Sequence, residues 1–271
     1  MRAANLTISI PYEGCDKNCD YCVSKMTGIT KTNTPLMMRN INKVKTLARA
    51  AQVTNVLFTG KGEPCLNWEE LVDFIAKFKD FPCELQTNGI ILNNNINLVD
   101  TLQFYGLDVV ALSIDKLEQF SEYSKLFKRI QDVGMTSRVT LNITNMIPEI
   151  TTFQDVVLLC IAYGVDQLLL RNIVIPNNVP KSKYTKWIRE YTNPAQYDKM
   201  VALMNEELRK NGKFLRSTAF GMSIWDYKGI SVTNSDYCIQ ENSNDIDIRS
   251  LIFQEDGHLY TNWNSKASRL F

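Results

Sequence analysis

Along residues 5 to 175, short apolar runs typical of β-strands alternate with longer stretches whose apolar positions recur at helical spacing. The predicted strands are Leu6–Ile10, Asn55–Thr59, Cys83–Thr87, Asp108–Ile114, Ser137–Ile143 and Asp166–Val174. The predicted helices are Ile41–Ala51, Trp68–Lys79, Ile96–Tyr105, Leu117–Val133 and Thr152–Tyr163. Gly106, Gly134 and Gly164 stand where three of these helices should end. The pattern predicts an α/β fold in which a parallel sheet is covered by helices.

The alternation weakens after about Pro176. A further helix is predicted near Pro194–Asn211, and two β-type runs, Ile248–Gln254 and His258–Asn262, flank the turn signal Asp256-Gly257. We therefore predict two domains, a main domain over residues 1–215 and a C-terminal β-rich cap over residues 216–271.

Composition narrows the class of protein. The chain has 271 residues, is 45% hydrophobic and carries a formal net charge of +1, so it shows no general basic surface for nucleic acid. It contains no run of about eighteen apolar residues and no apolar signal-peptide segment at its start, which predicts no membrane association. Seven cysteines, an odd number, do not indicate a disulfide framework, and a cytoplasmic location is predicted.

Three of the cysteines lie close together in the loop after the first predicted strand. Cys15, Cys19 and Cys22 have the spacing C-x-x-x-C-x-x-C. Thiolates are soft ligands that suit iron–sulfur clusters, zinc or copper. A structural zinc site usually needs four ligands, and the single histidine, His258, is far away in sequence. Three thiolates without a nearby fourth favour a four-iron cluster with one iron left open for another ligand.

A second motif follows the second predicted strand. The segment Gly60-Lys61-Gly62-Glu63-Pro64 places glycines where a backbone can approach a ligand closely, next to a carboxylate that can accept from an ammonium group. Taken alone, the segment is also compatible with an ordinary strand-to-helix turn in which Pro64 begins the next helix.

These two motifs, in this order and each after a strand, resemble those of the radical S-adenosylmethionine (radical SAM) superfamily, although Lys61 departs from its Gly-Gly-Glu-Pro pattern. The resemblance implies a partial (β/α)6 TIM-type barrel and one [4Fe-4S] cluster on Cys15, Cys19 and Cys22. It also implies that S-adenosyl-L-methionine (SAM) binds the open iron and is cleaved reductively to a 5′-deoxyadenosyl radical, which abstracts a hydrogen atom from the substrate. An electron donor such as flavodoxin or ferredoxin is implied as a partner.

The resemblance further implies a set of cofactor-binding residues at the strand ends. They are Tyr21, Gly60, Gly62, Glu63, Thr87, Asn88, Ser113, Arg138, Asn142 and Arg171. Alternatives stay open at three places: Asn88-Gly89 as a simple turn, Asp115 beside Ser113 as a helix cap, and Arg138 and Arg171 as surface salt-bridge partners.

The substrate is predicted less directly. The motif style is similar to the molybdenum-cofactor and SPASM-like branch, but Cys238 lacks the companion cysteines that an auxiliary cluster needs. A small polar or nucleotide-derived substrate is favoured, with the tail as a lid or substrate wall. The alternatives are a peptide or protein, including glycyl-radical activation; a nucleobase in nucleic acid; and a cysteine-bound metal module without turnover. For nucleic acid the basic run 181–187 would have to contribute, although a solvated face is favoured there.

Overall fold

The computed structural model describes residues 2–28, 30–176, 179–218, 222–236 and 248–271. Its strands are β1 Ala3–Ile10, β2 Val56–Gly60, β3 Cys83–Thr87, β4 Val109–Ile114, β5 Thr136–Ile143, β6 Gln167–Asn172, β7 Lys213–Ser217, β8 Ser223–Tyr227, β9 Ile230–Ser235, β10 Ile248–Phe253 and β11 Leu259–Tyr260. Its helices are α1 Val23–Thr27, α2 Thr34–Ala50, α3 Trp68–Phe78, α4 Ile90–Asn94, α5 Asn97–Phe104, α6 Gln119–Glu122, α7 Ser124–Asp132, α8 Phe153–Ala162, α9 Lys183–Tyr191 and α10 Pro194–Asn211. The predicted α/β class is confirmed.

The described residues fall into two compact units. The first comprises residues 1–18, 27–110 and 239–271, and the second comprises residues 19–26 and 111–238, so the division falls inside β4. In the first unit the strand order is β11-β10-β1-β2-β3, with only β11 antiparallel to its neighbour. In the second unit the order is β5-β6-β9-β8-β7, parallel from β5 to β9 and antiparallel beyond.

The core of each unit is built from the apolar runs that predicted the strands. Leu6, Ile8 and Ile10 of β1 are buried in the first unit, as Val139, Leu141 and Ile143 of β5 are in the second. The predicted helix stops are confirmed, because Gly106, Gly134 and Gly164 adopt positive φ angles of 106°, 78° and 68°. Among the described residues, no helix is long and apolar enough to cross a membrane.

The C-terminal part is rich in β-structure, as predicted. The hairpin around Asp256-Gly257 is confirmed: β10 and β11 pair antiparallel, and Gly257 has a φ of 81°. β10, however, is not an outlying cap strand. It lies parallel to β1, with Ala3 opposite Ile248 and Ile8 opposite Phe253. Residues 216–271 are thus divided between the two units, and the boundary at 215 stays a prediction.

Cys65, Cys83 and Cys160 are buried free thiols that pack as small apolar groups. Burial raises the pKa of the Cys83 and Cys160 thiols to about 12, so both remain protonated near neutral pH. These cysteines are poor candidates for metal ligands. Cys238 lies outside the described residues.

Candidate active site

The turn after β2 makes a close backbone contact with the loop that carries the first cysteine. Gly62 lies so near Gly14 that a Cβ built on Gly62 would be 1.8 Å from the Gly14 carbonyl oxygen. The Glu63 N–H donates to that same oxygen at 3.0 Å. The second glycine of the motif is therefore required by the close approach of the loop at Gly14, the residue directly before Cys15.

Glu63 is the buried acceptor at the centre of this turn, with 6% of its surface exposed. Its Oε1 accepts from the Cys65 N–H at 3.0 Å and from the Thr87 hydroxyl at 2.6 Å, and its Oε2 accepts from the Asn88 N–H at 2.9 Å. Burial raises the pKa of this carboxyl, and the hydrogen bonds oppose that rise. Within the described chain, Glu63 receives neutral donors and no cation. A buried carboxylate in this state is a fitting partner for a cationic ligand.

The end of β3 is tied both to Glu63 and to the cysteine loop. The Asn88 side chain donates to Asp16 Oδ1 at 2.7 Å, and its own Oδ1 accepts from the Ile90 N–H at 2.9 Å. Gly89 has a φ of 84°, so the Asn-Gly turn that the sequence allowed is also present. Thr87 and Asn88 thus hold the position of Glu63 and of the segment that follows Cys15.

In the second unit, the predicted cofactor-binding residues Tyr21 and Asn142 form a buried polar cluster with Asp115. Asp115 Oδ1 accepts from the Tyr21 hydroxyl, in a short contact, and from the Asn142 amide at 2.8 Å. Asp115 and Asn142 are each 3% exposed. Burial and, secondarily, the negative charge of Asp115 raise the pKa of Tyr21 far above its usual range. The next helix, α6, begins only at Gln119, so Asp115 is not its N-cap residue. The Asp115 carboxylate instead accepts hydrogen bonds within this cluster.

Two paired residues near the ends of β5 and β6 each carry an unsatisfied polar atom. Asn142 and Arg171 are register partners on these parallel strands. Among the described residues, Asn142 Oδ1 and Arg171 Nε are buried without a hydrogen-bond partner. Unsatisfied buried groups are rare in proteins, and a bound ligand that offers a hydroxyl and a carboxylate would satisfy both. SAM carries both groups.

Arg138 does not join this pair. It lies near the start of β5, opposite Gln167 at the start of β6, and its Nε donates to the Gln167 side chain at 2.8 Å. The structure thus places Arg138 at the opposite end of the strands from Asn142 and Arg171, next to a neutral amide and not in the salt bridge that was its alternative. Ser113 is half-buried on β4, two residues before Asp115 and therefore on the same face of the strand.

The three cysteines of the triad differ in exposure. Cys15 is exposed in the first unit, and Cys19 and Cys22 are half-buried in the second; all three are free thiols. The Cys22 N–H donates to the Cys19 carbonyl, and the Lys25 N–H to the Cys22 carbonyl, in the turn that enters α1. Among the described residues, no three potential ligands are gathered as a ready metal site. The donor chemistry fits an iron–sulfur cluster, and the assignment of these cysteines stays a prediction from their spacing.

Glu255 is a buried residue of this region that the sequence did not single out. Its carboxylate, with 0% exposure, accepts from the Ser9 hydroxyl at 2.9 Å and the Thr32 hydroxyl at 3.4 Å. It also accepts from the backbone N–H groups of Tyr12 and Lys61. Glu255 therefore connects the C-terminal hairpin to the loop after β1 and to the turn after β2. A signal was present, since an acidic residue directly follows an apolar strand, but we assigned it to the hairpin turn.

The comparison with family models decides the family. The model described as Radical SAM superfamily matches residues 9–167. The chain belongs to the radical SAM superfamily. As a member, it is an enzyme of a family that uses a [4Fe-4S] cluster and SAM.

Curated relatives match shorter stretches of this radical SAM enzyme. The dual-specificity RNA methyltransferase RlmN of Desulfosudis oleivorans is 29% identical over 75 residues, which are 27% of this chain and 20% of the relative. The 7-carboxy-7-deazaguanine synthase of Clostridium acetobutylicum is 28% identical over 107 residues, which are 38% of this chain and 47% of the relative. The chain thus spans less than half the length of either relative.

Solved structures resemble the radical SAM chain over almost its whole length. Streptococcus suis SuiB bound to precursor peptide SuiA superimposes with a TM-score of 0.62 at 15% identity, covering 96% of this chain and 59% of SuiB. SuiB bound to SAM gives a TM-score of 0.61 at 13% identity, covering 96% of this chain and 60% of SuiB. At these identities the likeness concerns the fold, and it agrees with the predicted TIM-type architecture.

Proposed function

We propose that this radical SAM enzyme holds one [4Fe-4S] cluster on Cys15, Cys19 and Cys22 and abstracts a hydrogen atom from a small polar or nucleotide-derived substrate. The cluster and SAM, when bound, supply a 5′-deoxyadenosyl radical by reductive cleavage of SAM. The observation that carries the proposal is Glu63, a buried carboxylate surrounded by neutral donors in the Gly-Glu-Pro turn. It supports a cationic ligand at this turn, and the ammonium group of SAM is that ligand in our proposal.

The second unit supports further cofactor contacts. We assign Asn142 Oδ1 to a hydroxyl of SAM and Arg171 to its carboxylate, since both atoms lack partners among the described residues. Tyr21 is fixed by Asp115 and would offer its ring as an apolar contact. A reducing, cytoplasmic location is supported by the six described cysteines, all of which are free thiols.

Among substrate classes, a small nucleotide-derived molecule is favoured over nucleic acid. The deazaguanine synthase, whose name indicates a nucleobase-like product, matches a larger share of this chain than RlmN does. The basic run that nucleic acid would need forms the amphipathic helix α9, where Lys186 pairs with Glu190 at 3.6 Å. A flavodoxin- or ferredoxin-like protein is proposed as the electron donor, by family analogy.

We expect Glu63→Gln to retain the cluster and to weaken SAM binding about tenfold. The substitution keeps the side-chain shape but removes the charge. The hydrogen bond to an ammonium group is then weaker by about 1–1.5 kcal/mol. Isothermal titration of SAM into the anaerobically reconstituted protein measures the change.

Thr87→Val is the matched control for Glu63→Gln. It removes the hydroxyl that donates to Glu63 Oε1 and leaves the carboxylate charge in place. A larger loss of SAM affinity in Thr87→Val than in Glu63→Gln would show that the hydrogen bond between Thr87 and Glu63 acts by holding the conformation of the turn, and that the charge of Glu63 does not bind SAM. Unchanged affinity in a folded Glu63→Gln variant would reject Glu63 as the ammonium acceptor.

A further inference from the structure

A solvent-open cavity of about 760 Å³ lies in the first unit, beside the start of α2 and the C-terminal hairpin. Its volume is typical of sites for small organic ligands. The residues that line this cavity are Lys31, Thr32, Asn33, Asp256, His258, Tyr260, Lys266 and Arg269. None of them belongs to the proposed cofactor contacts.

The lining is positively charged. Lys31, Lys266 and Arg269 contribute three cations, and the nearby carboxylates are two: Asp256 in the lining, and Glu255, which accepts from the lining residue Thr32. Among the described residues, none of the three cations forms an ion pair. Asp256 is already engaged, since it accepts from the Tyr260 hydroxyl at 2.6 Å and from the His258 N–H at 3.0 Å. The net field in the cavity therefore favours an anion.

The start of α2 adds to this field. Asn33, which lines the cavity, is the N-cap residue of this 17-residue helix and accepts from the Leu36 N–H, and Pro35 has no N–H, so the helix contributes a partial charge to the cavity and not a set of free donors. The N-terminus of a helix carries a partial positive charge that favours phosphate groups. His258 lines the same cavity, and its Nδ1 is already in contact with the Phe271 oxygen at 2.9 Å.

We propose that this cavity, which we call the anion site, binds the phosphate or diphosphate group of a small phosphorylated molecule. Three separate cations and a helix N-terminus match a group with several negative oxygens better than a single carboxylate, which one arginine can bind in a bidentate manner. The cavity volume leaves room for the rest of a nucleotide-sized molecule next to the phosphate. The inference concerns binding and is independent of the proposed radical chemistry.

Inorganic pyrophosphate is the probe for the test. It is titrated into the reconstituted full-length protein with SAM at saturation, so that SAM occupies the cofactor site, and binding is followed by calorimetry. We expect saturable binding to one site that weakens as salt increases.

The decisive comparison uses two double variants of equal net charge. Lys266→Gln/Arg269→Gln removes two cations of the anion site and should weaken pyrophosphate binding at least tenfold, the effect of losing one or more charge-assisted hydrogen bonds. Lys128→Gln/Lys210→Gln removes two exposed lysines of the second unit, each in an ion pair within its own helix, and should leave the affinity unchanged. Absence of saturable binding to the parent protein, or an equal loss in both variants, would overturn the proposal.

Discussion

Cys19→Ser should abolish the cluster and all cleavage of SAM. Serine replaces a soft thiolate by a hard hydroxyl, and two remaining thiolates do not retain a four-iron cluster. The parent protein should contain about four iron atoms per chain after anaerobic reconstitution, and the variant close to none. Iron and sulfide analysis, with an assay for 5′-deoxyadenosine, measures both effects.

Two further cysteines serve as controls for Cys19→Ser. Cys160→Ala alters a buried thiol of α8 that is protonated near neutral pH, so the iron content should not change. Cys238→Ala should also leave it unchanged, because the sequence around Cys238 lacks the other ligands of an auxiliary cluster. An iron content near eight per chain would contradict the single-cluster assignment.

Glu255→Ala should lower the free energy of unfolding by at least about 3 kcal/mol. The substitution leaves the Ser9 hydroxyl and the N–H groups of Tyr12 and Lys61 without their common acceptor. A buried donor without a partner costs about 1–3 kcal/mol, and the donors of the two buried residues Ser9 and Lys61 act together here. Urea unfolding of the apoprotein measures the change.

Glu255 also holds Tyr12, which precedes the predicted cluster ligand Cys15, and Thr32, which follows the ligand Cys22. The Glu255→Ala variant should therefore bind less iron during reconstitution. Glu255→Gln retains one acceptor oxygen and should be intermediate in stability. Glu206→Ala, at an exposed ion pair with Lys210, should leave the stability nearly unchanged. If Glu255→Ala were as stable as Glu206→Ala, the carboxylate would not organise the loops that contain Tyr12 and Thr32.

The local part of the fold was predictable from the sequence. β3 and α10 have the predicted bounds because their apolar patterns and flanking prolines are local signals. α2 begins seven residues before the predicted Ile41, since Asn33 and Pro35 supply its cap and first turn while the apolar period becomes clear only later. α9 was not predicted as a helix. We considered only that its segment is rich in lysine and aromatic residues, and did not consider that these residues alternate with helical spacing.

The candidate site was predictable as far as strand ends could be placed. Glu63, Thr87 and Asn88 do come together, as expected for neighbouring ends of parallel strands. Arg138 shares a strand with Asn142, but only the observed start of β5 shows that it lies at the other end. Glu255 was not predictable from a local pattern, because its partner Ser9 is 246 positions away and the parallel pairing of β10 with β1 brings the two together.

The pairing of β10 with β1 has a consequence for the order in which the protein matures. β1 can pair with β10 only after residues 248–253 have left the ribosome. Until then one edge of β1 has no neighbouring strand on that side, although most of the other strands have already been synthesised. Such a long-range parallel pairing forms slowly, because the intervening chain must be ordered first. The loop after β1 gains its Glu255 contacts at the same late stage. Cluster insertion into this protein is therefore expected to follow translation, and a shortened chain without the hairpin should be a poor acceptor for iron and sulfide.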